Sequence, residues 1–331
     1  MSGYVLREVR EQEWDALVDR CPMATVFHRA AWLGSIDATE DVSIARVACE
    51  RDGVLMGVWP IGLLRKGPLR VGGSPLPGWN TAYLGPVFTD ACEDRLGALR
   101  AMLRGKPISN PSFVATRCMH TDMDLSGLGF RRTRDFETYE MGLTRDEDYL
   151  FSVMKGACRT SIRKGTKNGL EVRVEEDDTY IDDFCAMSDE VFAKSSLKTP
   201  YSRRFVEEVQ ERLTSAGELI VASAFHGEDR VATVMIPHNG RTAMYFAGAS
   251  YGAKLSLMPN NLLLWEVMRA CKDRGLSSFD MISTSGKPGK FKMAFGPAAR
   301  VSCVHWERTS NPIVKWMREK YEQRARAKRR V

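Results

Sequence analysis

Met281-Ile-Ser-Thr-Ser-Gly-Lys-Pro-Gly-Lys290-Phe291-Lys292-Met-Ala-Phe295-Gly296 is the stretch around which the chain is organised. The run leading into it, Ser278-Phe279-Asp280-Met281-Ile282, reads as a buried strand. A loop rich in Gly, Ser and Pro is expected next. Loops at strand ends are where α/β folds place chemistry. A lysine held between two aromatics, as Lys292 is in Phe291-Lys292-Met-Ala-Phe295, can offer its charge to a developing oxyanion in a partly dry site. The same letters also fit a strand, a surface loop and a solvated lysine.

Working back from this stretch, the spacing predicts a helix over Asn260–Arg274, stopped by Gly275. Before it lie three strand-like runs, 218–224, 231–236 and 242–248, joined by Gly-containing turns and read as a meander. Helices are expected over Thr179–Lys194 and from Pro200 to Leu213, with a strand at Leu170–Glu175. Asp146–Lys167 reads as one long polar helix. Its Lys155, Arg159, Arg163 and Lys167 fall four apart and share a face. That row suits a phosphate-bearing substrate or simple solvation.

The first half has a similar order. A helix is expected at Glu11–Asp19 and a helix start near Phe27–Trp32. A hairpin should fold around Asp52-Gly53, because Asp-Gly between apolar runs is a strong turn signal. Lys66–Phe88, rich in Gly and Pro, reads as a long loop flanking a short strand at 83–88. A helix over Glu93–Leu103 and strands at 112–116 and 136–143 complete the half. The recurring order predicts a duplicated α/β module, with domains at 1–145 and 146–310 and a basic helix at 311–331.

Composition sets the outer limits. The chain has 331 residues, 44% hydrophobic and 27% charged, which suits a water-soluble protein with ample core. No apolar run reaches the ~18 residues of a membrane span, and the N-terminus lacks a signal-peptide core. No membrane insertion and a cytoplasmic location are therefore expected. The eight cysteines form no Cys-x-x-Cys pair and the five histidines are dispersed, so reduced thiols and no metal site are expected. Residues 311–331 hold eight Lys/Arg and two acids, 8 − 2 = +6, equal to the net charge of the whole chain. Arg324, Arg326, Lys328 and Arg329 are the candidate nucleic-acid contacts of that tail.

Several motifs together carry a resemblance. They are Arg159-Thr-Ser-Ile-Arg163-Lys164-Gly-x-x-x-Gly169, Tyr245-Phe-Ala-Gly248-Ala-Ser250, Leu263-Leu-Trp265, Phe279-Asp280 and Phe291-Lys292-x-x-Phe295-Gly296, with Phe27-His-x-x-x-Trp32 near the start. In this order they resemble the GCN5-related N-acetyltransferase (GNAT) superfamily. More narrowly, they resemble the compact members of the Fem-type (FemAB-like) aminoacyltransferases that build peptidoglycan cross-bridges.

The resemblance implies an α/β (α+β) fold of two tandem GNAT-like domains, each a mixed, largely antiparallel sheet flanked by helices. It implies amide-bond formation, with aminoacyl-tRNA as co-substrate and a small amine, peptide or cell-wall or antibiotic precursor as acceptor. No bound cofactor is implied. An acyl-CoA or acyl-carrier donor is the alternative. By position, Lys292 would stabilise the oxyanion or the leaving ribose hydroxyl, and Phe291 would shape its pocket. Tyr245 would line the acceptor site, and Arg159 and Arg163 would meet an anionic acceptor. Lys164, Tyr201, Arg204, Ser250 and Trp32 join them as substrate-binding candidates.

Two departures bear on substrates. Acetyl-CoA enzymes carry Arg/Gln-x-x-Gly-x-Gly/Ala before the helix that follows the meander, where backbone amides cradle a pyrophosphate. Here that place reads Tyr251-Gly-Ala-Lys254-Leu-Ser-Leu-Met-Pro259. Cell-wall members often carry a lysine soon after the N-terminal Trp; Trp32 is followed by Leu-Gly-Ser-Ile-Asp. Asp280, Asp189 and Glu190 are the carboxylates available as a base. No Ser/His/Asp or Cys/His arrangement points to a covalent intermediate.

Overall fold

The computed structural model describes residues 3–316, apart from 68, 107, 110, 121, 283–285 and 311. Contacts gather the chain into two units, one of residues 1–33, 40–136 and 302–331, the other of 34–39 and 137–301.

In the first unit, β1 (Val5–Arg7) leads to α1 (Glu11–Asp19), which buries Trp14, Leu17 and Val18. A short 3₁₀ turn precedes α2 (Ala30–Thr39). The hairpin forms as the Asp-Gly signal requires: β2 (Ser43–Arg51) and β3 (Val54–Lys66) meet at Asp52 and Gly53, with φ of 53° and 78°. The expected loop from Lys66 instead contains β4 (Leu69–Ser74) before the short β5 (Val87–Phe88).

The glycines of that region serve close packing. A Cβ on Gly73 would lie 2.5 Å from Leu76, and one on Gly62 would lie 2.6 Å from Trp79. Next come α3 (Arg95–Arg104), begun by Asp94 accepting from the Gly97 amide, then β6 (Phe113–Cys118) and β7 (Phe130–Gly142). β4 and β6 pair in parallel; β1–β2, β2–β3, β3–β4 and β3–β5 are antiparallel.

The main stretch of the second unit begins inside β7, at Glu137. The long polar helix expected from Asp146 to Lys167 is two helices, α4 (Glu147–Ser152) and α5 (Gly156–Lys167). Between them Lys155 takes the extended geometry of a helix start, with ψ 141°. β8 (Leu170–Val174), α6 (Ile181–Ala193), α7 (Arg203–Ser215), β9 (Leu219–His226) and β10 (Asp229–Pro237) follow as the periodicities require.

The third strand of the meander is not continuous. β11 (Thr242–Met244) pairs in parallel with a later strand, whereas β12 (Ala247–Ser250) pairs with β10. The chain changes sheets across Tyr245-Phe246. α8 (Pro259–Asp273) then buries eight residues from Pro259 to Cys271, and β13 (Ser278–Asp280) runs between β11 and β7. α9 (Gly286–Lys292) follows, and β14 (Ala299–Thr309) pairs with β6.

That last pairing places the domain limits elsewhere than residues 145 and 310. The division falls within β7, and the strand after the Lys292 motif belongs to the first unit from Ser302 onward. The candidate tail residues Arg324, Arg326, Lys328 and Arg329 lie outside the described residues. Among those described, no helix is long and apolar enough to cross a membrane.

Candidate active site around Lys292

Gly286–Lys292 is a helix where the Gly/Ser/Pro content predicts a loop. Pro288 stands in its first turn, where its missing N–H has no partner to lose. The helix ends in a tight turn, with the Phe295 amide donating to the Lys292 carbonyl. Phe295 is fully buried and packs edge-on to Phe291, centroids 5.4 Å apart. The flanking aromatics therefore anchor the turn, and the ring facing the ammonium is a third one. Lys292 Nζ lies 4.2 Å from the centre of the Tyr245 ring and donates to the Met281 carbonyl. Only 8% of Lys292 is exposed.

The sheet change supplies the tyrosine. The Tyr245 amide still donates to the Asp280 carbonyl at 2.8 Å, continuing the β11–β13 ladder, while Ala247 already pairs with Met235 of β10. Tyr245 thus sits where the two ladders part. Its hydroxyl lies against Gly248, where a Cβ would come within 2.5 Å of Oη. A glycine is the residue that fits there.

The turn after β13 supplies the acceptor for the ammonium. Asp280 is buried; it accepts from the Thr138 hydroxyl on β7 and, at 2.7 Å, from the Ile282 amide. Ile282 has φ 59°, a conformation that β-branched residues avoid and that persists only when the surroundings enforce it. The bend turns the Met281 carbonyl toward Lys292.

Burial pulls the Lys292 pKa down to about 8, and the Asp280 carboxylate opposes that fall. Near neutral pH it is a desolvated ammonium. One of its three N–H donors goes to Met281 and its charge rests on a ring face, so donor capacity remains for an incoming oxygen. Burial raises the Tyr245 phenol to about 12, which keeps it neutral.

The other candidates are dispersed. Tyr201 adjoins this group: it packs against Phe246 (5.5 Å), Phe184 and Phe192, and burial raises its phenol to about 12. Ser250 is buried and accepts from the Asn260 side chain at 3.1 Å. Arg159 donates to the carbonyls of Ser152 and Met154, capping α4. Arg163 stacks over Phe151 at 5.2 Å. Lys164 and Arg204 are exposed. Trp32 is fully buried in the first unit and donates to Thr81. Of the three carboxylates, Asp280 is engaged as described and Asp189 is exposed. Glu190 is ion-paired with Lys194 and accepts from the Gly252 amide at 3.0 Å.

This last contact falls where the glycine loop is missing. Gly252–Leu257 is a 3₁₀ helix, and Pro259 opens α8 without an N–H to offer. The residues the sequence reading missed are Thr138, the Met281 carbonyl, Ile282 and Gly252. A threonine on an alternating strand and a backbone carbonyl carry no local signal; only the fold brings them to Lys292 and Asp280.

The model of the acetyltransferase (GNAT) domain family matches residues 153–290. The match runs from the α4–α5 junction through β13 and into α9, stopping two residues before Lys292.

The solved structures extend the likeness to 92–94% of the chain. FemX is 15% identical, with a TM-score of 0.76 over 94% of this chain and 99% of that one. A tandem GNAT protein from the clavulanic acid biosynthesis pathway is 11% identical, with a TM-score of 0.57 over 94% and 99%. L-PGS from Bacillus licheniformis is 13% identical, with a TM-score of 0.56 over 92% and 94%. No curated protein matches in sequence. The fold is therefore that of FemX and of the tandem GNAT protein.

Proposed function

We propose that the protein transfers an aminoacyl group from aminoacyl-tRNA to the amine of a small peptide or of a cell-wall or antibiotic precursor, forming an amide bond. The observation that carries this reading is the desolvated Lys292 ammonium under the Tyr245 ring. The neutral amine adds to the ester carbonyl and gives a tetrahedral oxyanion. That collapses with cleavage of the ester C–O bond, and the ribose oxygen leaves with a proton that came from the amine. Lys292 stabilises the oxyanion or the departing oxygen by a charge-assisted hydrogen bond, worth most where water is excluded. Tyr245 walls the position.

The Gly252–Glu190 contact weighs against a CoA donor, because a carboxylate already holds the amide that a pyrophosphate would seek. The second reading, an acyl-CoA- or acyl-carrier-dependent N-acyltransferase, is favoured by the acetyltransferase domain match.

A donor assay by mass spectrometry separates them. The protein is offered mixed aminoacyl-tRNAs or, separately, acyl-CoAs, with a panel of amine acceptors. A gain of one amino-acid residue, abolished by ribonuclease, supports aminoacyl transfer; product from acyl-CoA alone replaces it with the second reading. Lys292→Met is expected to lower kcat by about 10²–10³, the usual loss of one oxyanion donor, with little change in KM. Near-intact turnover would remove Lys292 from the mechanism.

A further inference from the structure

The cations of the second unit fall into two groups. One group has carboxylate partners, among them Arg203 with Asp182 and Glu207, Arg212 with Glu208, Arg230 with Glu175 and Asp183, Lys254 with Asp229, and Arg269 with Glu147 and Glu266. Helix α5 is different. Its sequence, Gly-Ala-Cys-Arg-Thr-Ser-Ile-Arg-Lys-Gly-Thr-Lys, contains no acid. It buries Cys158, Ile162 and Gly165, while Lys155 at its N-cap and Lys164 and Lys167 near its end stand exposed. Among the described residues none of these three lysines has an ion pair, a side-chain hydrogen bond or a ring contact. Arg163 is also exposed and adds a guanidinium whose inner face rests on Phe151.

Like charges four apart on a helix, as Arg163 and Lys167 are, repel one another at a small cost. The cost is removed when a polyanion lies along them. From Lys155 to Lys167 the row rises about 18 Å, at 1.5 Å per residue. That is longer than one phosphate or diphosphate and suits a strand of successive phosphates. The row also begins at the candidate active site: the Lys155 amide donates to the carbonyl of Ala294, two residues past Lys292, at 2.9 Å.

We infer that the exposed face of α5 is an RNA-backbone track, holding the phosphates of the donor tRNA beside its acceptor end while the esterified terminus reaches Lys292. The inference rests on the reading that the donor is aminoacyl-tRNA. It gives the lysines a sequence-independent role, since phosphate contacts position a nucleic acid without reading its bases.

The test is the salt dependence of binding to deacylated, unfractionated tRNA, followed by fluorescence anisotropy on the full chain. The variant is Lys155→Gln/Lys164→Gln/Lys167→Gln, whose side chains touch nothing that folding requires; its unfolding midpoint is checked first. Each lost phosphate contact removes about 0.7–0.9 from the slope of log K against log salt, so the triple variant should lose about 2–3. A charge-matched control, Arg203→Gln/Arg212→Gln/Lys254→Gln, should keep the wild-type slope.

An unchanged slope in the α5 variant, or an equal fall in the control, overturns the inference. So does full displacement of tRNA by equimolar pyrophosphate, which would make the row a small-anion site. The two readings fail separately. If the wild type transfers nothing from aminoacyl-tRNA but the slope falls as stated, the track stands and the reaction is wrong. If transfer occurs and the slope does not move, the reaction stands and the track is wrong.

Discussion

Lys292 should make the protein less stable at neutral pH than a chain without that charge. Burial lowers its pKa from 10.5 to about 8, so between these values the unfolded chain holds a proton that the folded one has released. Stability from this group therefore rises with pH across that window, and the cost of the buried ammonium is fully present below pH 8. The whole cost is about 3 kcal/mol, 2.5 units at 1.36 kcal/mol each. Between pH 7 and 10 the same two values give a change of about 2.5 kcal/mol.

Lys292→Met removes the titration and keeps the length of the chain. It also leaves the Met281 carbonyl short of a partner, at a cost of about 1–3 kcal/mol, but that term does not vary with pH. The observable is thus the difference between wild type and variant, measured by urea unfolding at a series of pH values. The wild type should gain about 2.5 kcal/mol on the variant from pH 7 to pH 10. A difference that stays flat would mean that Lys292 titrates as an exposed lysine, and the desolvated site would be refuted.

Three further outcomes follow from the same geometry. Asp280→Asn removes the charge that opposes the fall in the Lys292 pKa, so the alkaline limb of kcat, centred near pH 8 in the wild type, should move to lower pH; movement to higher pH would contradict the arrangement. Gly248→Ala should drive its methyl into the Tyr245 hydroxyl and cost about 1–3 kcal/mol, as overpacking does, with Tyr245→Phe in the same chain restoring most of it. His28, His120 and His238 are buried, and desolvation lowers each pKa to about 4. The unfolded chain binds their protons first, so each should cost about 2–3 kcal/mol of stability as pH falls from 6.5 to 4, with His28→Gln removing about a third of that limb.

Much of the site was readable because it lies in short local patterns. Phe291-Lys292-x-x-Phe295-Gly296 is such a pattern, and Lys292 is the buried cation it suggests. Tyr245 was named from the family resemblance of Tyr245-Phe-Ala-Gly248-Ala-Ser250. What local pattern could not supply is partnership. The ring facing the ammonium belongs to Tyr245 and not to the flanking phenylalanines, because the two ladders part at residue 245. Arg159, read as a substrate contact, caps the helix just before it, a use that appears only once the expected long helix divides at Lys155.

The sequence by itself determined the elements whose causes are local. Asp52-Gly53 sets the hairpin, the apolar spacing of 181–193 and 203–215 sets two helices, and the absence of acids in α5 sets its charge. Tertiary structure alone decided where the chain changes sheets and that Gly72-Gly73 belongs to a strand and not a loop. It also decided that β14 pairs with β6 and that Thr138, Asp280 and Ile282 close a turn beneath a lysine. The β14–β6 ladder and the Thr138–Asp280 bond are pairings across more than a hundred residues. The energy of a ladder or a buried hydrogen bond depends on which partner arrives, and neither side alone encodes that partner.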